Sequence, residues 1–269
     1  MARIFAAPII STPPPLGIPE GLKLYKLDGA EQSIGIQPGR VVFDLGGGAR
    51  QSVHLAADLI KRINGPWGAA VTGGRGVNSP YVSNGRYLVY LLWAPATGDI
   101  DAILSNDISS DLPIGWVARR IGGFVLDGSG FIVPFLQNGS WFEYLSGLVV
   151  TNSANFTGGT YPTQRVGCII PVPPTHCKAL MTYYHGAAAN GDPIQSNMLI
   201  GHYDHTSEAA FSDSRRGDSN GTTGPVIPER GSILHPLDSL GRVVFRASSP
   251  GIIFSCSVHG FDFPLGESL

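Results

Sequence analysis

The chain has little charge, little cysteine and no long apolar run, and each shortage excludes something. Charged residues are 14% of 269 and nearly cancel, leaving a formal net charge of −2 and an isoelectric point near 6.4. No basic field is available to hold a phosphate backbone, so nucleic acid is excluded as a partner. Apolar runs stop short of the roughly 18 residues that a membrane-spanning helix needs. The apolar patch Phe5–Ile10 is interrupted by Pro8 and runs into Pro13-Pro14-Pro15 rather than a cleavage site, so neither membrane insertion nor secretory export is expected. Cysteine is limited to Cys168, Cys177 and Cys256, an odd, sparse set in a chain long enough to bury a core. They read as small buried hydrophobes. Cys168 and Cys177 lack the close spacing of a zinc pair, and a disulfide between them stays open.

Familiar reactive constellations are also missing. No G-x-S-x-G elbow or H-E-x-x-H helix occurs, and Gly46-Gly47-Gly48 lacks the Gly-Lys-Ser/Thr of a phosphate loop, which leaves a turn. His202-Tyr203-Asp204-His205 is the densest group of metal-ligating side chains, with His202 and Asp204 on one face of a strand. Further ligands would have to come from elsewhere, so a polar rim is expected and no metal or cofactor. Asp99 and Asp101 share a strand face and would be the carboxylates for glycoside hydrolysis, but such i,i+2 pairs usually mark a solvated face. No enzyme activity is expected.

What the chain does have is glycine (36), proline (21) and 43% hydrophobic residues, the balance of many short strands joined by tight turns. An all-β fold follows. Tyr87–Trp93 is almost wholly apolar, as in a strand buried on both faces. The break at Ala94–Gly98 and the alternating segment from Asp99 to Ser105 make it half of a hairpin. Phe124–Leu126 and Phe131–Phe135 flank Asp127-Gly128-Ser129-Gly130, a tight-turn cluster. Leu22–Leu27, Ser33–Ile36 and Val41–Asp44 read as strands, while Leu55–Ile63 has apolar residues at helical spacing and predicts the one short helix. Residues 1–20 form an extended, proline-rich arm; Phe5, Ile9 and Ile10 beside Pro13, Pro14 and Pro15 make it too apolar for a solvated tail, which favours docking onto a partner. A body domain spans 21–145. The polar run Thr151–Thr160 predicts a loop near the start of a second domain, 146–269, with strands at Arg165–Pro171, Cys177–Tyr184, Met198–Tyr203, Gly224–Ile227, Gly241–Ala247 and Gly251–His259. Their spacing predicts a β-sandwich, jelly-roll-like. Tyr203, Arg215, Arg216 and Asp218 lie in segments expected to be exposed loops, Arg216-Gly217-Asp218 at a loop tip, where receptor contacts evolve most freely.

The order of motifs resembles a module of tailed-bacteriophage virion proteins. It comprises the aromatic strand Tyr87–Trp93, the hairpin Thr97–Asp101, the D-L-P-x-G-W connection Asp111–Trp116, the R-R-I-G strand Arg119–Gly122, the turn Asp127–Gly130 and the strand Val133–Phe135. Gly21–Leu24, Pro38-Gly39, the partly matching loop Trp67–Gly76 and the ending Gly260-Phe261-Asp262 extend it. The resemblance implies a structural tail fibre or host-recognition component, a homotrimer made in the host cytoplasm and carried in the virion. The arm would bind other virion proteins and the C-terminal loops a host glycan or protein. Capsid decoration, tail connection and a polysaccharide-cleaving spike are the alternatives it leaves.

Overall fold

A computed structural model describes residues 19–68, 71–156, 165–187, 195–202, 213–218, 229–247 and 252–263. Its regular structure is all-β apart from one four-residue helix, as composition implied. No helix among the described residues is long and apolar enough to cross a membrane. The docking-arm residues Phe5, Ile9, Ile10, Pro13, Pro14 and Pro15, together with Tyr203, Asp204, His205 and the strand expected at Gly224–Ile227, lie outside the described residues.

The chain divides into two compact units. The first comprises residues up to Glu143 together with Phe263, and the second is Tyr144–Asp262. In the first, the strands are β1 (Glu20–Gly21), β2 (Leu24–Lys26), β3 (Ser33–Ile36), β4 (Gly39–Asp44), β5 (Arg50–Leu55), β6 (Leu59–Pro66), β7 (Gly73–Arg75), β8 (Arg86–Trp93) and β9 (Ile100–Ser105). The helix α1 (Ile108–Asp111), β10 (Val117–Val125), β11 (Phe135–Asn138) and the start of β12 (Trp141–Phe156) follow. A seven-stranded sheet has the order β10-β8-β9-β7-β6-β3-β2, and β1-β4-β5 form a three-stranded sheet. Pairing is antiparallel except at β7, which runs parallel to β6 and β9.

The sheet is organised by β8. Tyr87 to Leu92 are all buried, and β9 and β10 pair with β8 on either side, Leu91 standing opposite both Ala102 and Arg119. The expected β8–β9 hairpin is present, closed by Ala94 N–H donating to Asp99 O at 2.9 Å. The Asp127 turn is present too. Its carboxylate accepts from Ser129 N at 2.8 Å and Phe131 N at 2.9 Å, while Gly130 takes a φ of +80°, which a side chain would strain. A cluster of Phe135, Phe142 and Phe263, with ring centroids 5.6 and 5.7 Å apart, closes this unit. Phe263 N–H donates to Ser140 O at 2.8 Å, and the Arg120 guanidinium lies 5.1 Å from the Phe263 ring.

The helix expected over Leu55–Ile63 is not there. β5 ends at Leu55 and β6 begins at Leu59, with Lys61 and Ile63 buried and Ile60, Arg62 and Asn64 exposed, a period of two. Leu55, Leu59 and Ile63 satisfy helical and even spacing alike, and the pairing of β6 with β3, Ile36 opposite Leu59 and Ile34 opposite Lys61, decides it. The helix that does form is α1, where the Asp107 carboxylate caps Ser109 N at 3.1 Å.

The second unit contains the rest of β12, then β13 (Arg165–Ile169), β14 (Lys178–Ala187), β15 (Gln195–His202), β16 (Asp213–Asp218), β17 (Glu229–Pro236), β18 (Arg242–Ala247) and β19 (Ile252–Asp262). Within it β12-β19-β14-β17 make one sheet and β13-β18-β15-β16 another, every pairing among β13 to β19 antiparallel. Ile170, Ala179, Met181, Ile200, Phe245, Val258 and Phe261 are buried. The loop expected from Thr151 is strand as far as Phe156, because β12 runs unbroken through sixteen residues. Asp213–Asp218 is also strand rather than loop. It is the edge of its sheet, with Asn197 opposite Arg216 and Ser196 opposite Gly217, so Arg216-Gly217-Asp218 is no loop tip. Backbone pairing with β15 holds a segment whose polar composition reads as a turn. None of the three cysteines is in a disulfide; Cys177 and Cys256 are buried and Cys168 is half-buried. Burial pushes the Cys256 thiol up to about 12.

Candidate functional site

Two segments distant in sequence meet in the first unit, one running from Trp67 to Asn78 and the other from Asn106 to Trp116. Their junction is the Asp111 carboxylate, at the last residue of α1. Its Oδ1 accepts from Asn78 N at 2.6 Å, and its Oδ2 accepts from Ser79 Oγ at 2.5 Å and Ser105 Oγ at 2.7 Å. Asn78 Nδ2 donates to Ser110 O at 2.6 Å beside it. Asp111, Ser79 and Ser105 are all buried, so these bonds form with little competition from water. The glycines of the first segment allow this approach. A Cβ at Gly76 would sit 2.0 Å from Asp111 Oδ2, and one at Gly74 would sit 2.7 Å from Lys61 Cβ.

The same two segments carry apolar side chains into solvent. Ile114 is fully exposed at 102% and Val77 is 81% exposed, with Val71 and Leu112 also outward. Trp67 packs edge-to-face against Trp116, ring centroids 5.7 Å apart and planes at 86°, both half-buried. Exposed aliphatics on segments held by a packed aromatic pair are the make-up of a contact surface.

Below Trp67 lies a buried ion pair. Lys61 Nζ is 2.5 Å from Asp101 Oδ1 and also donates to Val71 O at 2.8 Å. Burial raises the Asp101 carboxyl above the usual range, and Lys61 opposes that rise. The expectation of a solvated Asp99 and Asp101 face therefore fails at Asp101. Asp99 is exposed and bonded to Thr97 Oγ1 at 2.7 Å, so the two carboxylates are not presented together to a substrate. A separate groove of about 290 Å³ is lined by Glu31, Gln32, Arg62, Asn64 and the exposed Phe131.

The receptor-facing residues expected from the sequence fall elsewhere. Arg215, Arg216 and Asp218 are on β16, and His202 ends β15. Among the described residues no group of three His, Cys, Asp or Glu is placed to hold a metal ion. Trp67–Gly76 and Asp111–Trp116 stand in the sequence as separate motifs, and only the fold joins them. The aromatic at one end of each, Trp67 and Trp116, was the available signal.

No protein-family model matches the chain, and no curated protein matches it. Among solved structures, the crystal structure of an infectious bursal disease virus VP2 subviral particle aligns at 13% identity, over 89% of this chain and 69% of that one, with a TM-score of 0.24. The structure of the Gx strain of that virus aligns at 11% identity over 89% and 69%, also at 0.24. A mutant VP2 in derived T=1 particles aligns at 11% over 96% and 73%, again at 0.24. Likenesses at that score carry no argument about this chain.

Proposed function

We propose that the chain is a structural virion component of a tailed bacteriophage, a tail fibre or host-attachment protein that acts by adhesion and assembles as a homotrimer. The β8–β10 body is the scaffold, residues 1–20 bind other virion proteins, and the outward surfaces bind a glycan or protein of the host. The observation that carries this reading is the exposure of Val77 and Ile114 on two segments, joined by the Trp67–Trp116 pair and tied together by the buried Asp111 carboxylate. A surface so exposed and so firmly supported is built for contact. The motif order from Tyr87 to Phe135 supports the phage origin.

The same surface would also suit a capsid-decorating or tail-connecting protein, whose contacts are with the virion alone. Adherence separates the two. Purified protein should bind susceptible host cells, and Ile114→Asp with Val77→Asp should abolish that binding while leaving the fold intact, because both side chains are in solvent. Absence of binding by the unaltered protein favours the virion-internal role. Shortened capsule or lipopolysaccharide chains after incubation would instead make it a polysaccharide-cleaving spike.

A further inference from the structure

The pair Lys61–Asp101 has features that an ordinary salt bridge does not need. Both side chains are almost fully buried, 1% and 6% exposed. Removing two charges from water costs several kcal/mol per ion in real proteins. Burial therefore works against keeping the two charges, and a product that carries neither escapes that cost. The two carboxyl oxygens are also held differently. Oδ1 takes Lys61 Nζ and accepts Ala102 N–H at 2.8 Å, whereas Oδ2 has no hydrogen bond of ordinary geometry, with the Trp67 indole as its polar neighbour. With Nζ 2.5 Å from Oδ1, and a C–O bond of about 1.2 Å, the carboxyl carbon lies within about 3.7 Å of the nitrogen. A near-attack pair is about 3–3.5 Å apart, so a small closing movement brings the two atoms to it.

We propose that Lys61 and Asp101 condense into an isopeptide bond between Nζ and Cγ, a covalent staple from β6 to β9. Nζ sheds two of its ammonium protons and attacks Cγ, forming the C–N bond and a tetrahedral centre. Both protons end on Oδ2, the C–Oδ2 bond breaks, and water leaves. Nothing is oxidised or reduced, and no co-reactant enters. The product fits the partners already in place: the new amide N–H donates to Val71 O, the retained Oδ1 accepts from Ala102 N–H, and the oxygen lost is the one that holds no hydrogen bond.

The position of the staple gives it a purpose. β6 and β9 are not neighbours, since the three-residue β7 lies between them. The parallel seam is registered only through Arg62 opposite Gly73, Pro66 opposite Arg75 and Arg75 opposite Leu104. A bond across it joins the β10-β8-β9 half of the sheet to the β6-β3-β2 half where ladder hydrogen bonding is sparsest.

Intact-mass measurement of the folded, full-length chain tests this. The unaltered protein should be lighter than its sequence by one water relative to Lys61→Met and Asp101→Ala. Digestion should yield a branched peptide joining the Lys61 and Asp101 fragments, absent from both variants. The branched peptide needs only the unaltered chain, so it decides the matter even where a variant fails to fold. A folded chain with the full sequence mass and two linear peptides overturns the proposal and leaves a buried ion pair.

Discussion

Replacing Asp111 by alanine tests whether one buried carboxylate supports the whole contact surface. The substitution removes the acceptor for three donors, Asn78 N–H, Ser79 Oγ and Ser105 Oγ. The two hydroxyls have somewhere to turn, since Ser79 Oγ is 3.3 Å from Ser105 Oγ and 2.8 Å from Asn106 Oδ1. The Asn78 N–H, a backbone donor, cannot turn away from the lost Oδ1 as the hydroxyls can. Asn78 is itself exposed, so water takes up part of that loss, and with the carboxylate gone from the two serines Asp111→Ala should cost about 1–3 kcal/mol. Asp111→Asn keeps Oδ1 for Asn78 N–H and turns an amide toward hydroxyls that can rotate to accept, so it should cost about 1 kcal/mol. All four tryptophans, Trp67, Trp93, Trp116 and Trp141, lie in the first unit, so urea unfolding followed by their fluorescence reports on the unit that contains Asp111. Asp111→Ala within about 0.5 kcal/mol of the unaltered protein, the range of an ordinary surface change, would refute the role given to this carboxylate.

Two further perturbations probe other parts of the account. Phe142 is fully buried between Phe135 and Phe263, so Phe142→Ala should cost about 3–5 kcal/mol in the same unfolding experiment; a loss below about 1 kcal/mol would mean that the aromatic cluster does not close the first unit. In the second unit Asp238 is buried, and although burial pushes its carboxyl up, Arg242 N–H at 2.7 Å, Arg242 Nε at 2.6 Å and Leu240 N–H at 3.0 Å hold it below the ordinary value. A carboxyl whose folded value is depressed contributes stability above its unfolded value and loses it as pH falls through the window down to the folded one. The stability gap between the unaltered protein and Asp238→Asn should therefore close on acidification; a gap that stays constant with pH would contradict this.

The fold was legible wherever hydrophobic pattern and turn chemistry agreed. Tyr87–Trp93 is apolar enough to be buried on both faces, and Asp127-Gly128-Ser129-Gly130 supplies both a carboxylate acceptor and a positive φ, so both hairpins could be read directly. Leu55–Ile63 was not legible because its apolar spacing fits two periods, and only pairing with Ser33–Ile36 chooses between them. Asp213–Asp218 was hidden for the opposite reason: as an edge strand it has no apolar alternation to show, and its order comes from backbone bonds to Gln195–Ile200. The contact surface was half legible. Trp67 and Trp116 stood out as aromatics in glycine-rich and proline-containing segments, but Asp111 looked like a turn residue. The ion pair could not be seen at all, because Lys61 lies in the segment that reads as a helix and Asp101 on a strand face that reads as solvated, and only the fold turns both inward.

The central claim is that this chain is an outward-facing attachment component of a phage particle. Immunogold electron microscopy of the particles that carry it, with an antibody against the purified protein, tests that claim most directly. Gold at the tail appendages is the predicted result. Gold confined to the capsid, or seated at a tail joint away from the host-facing end, would contradict it.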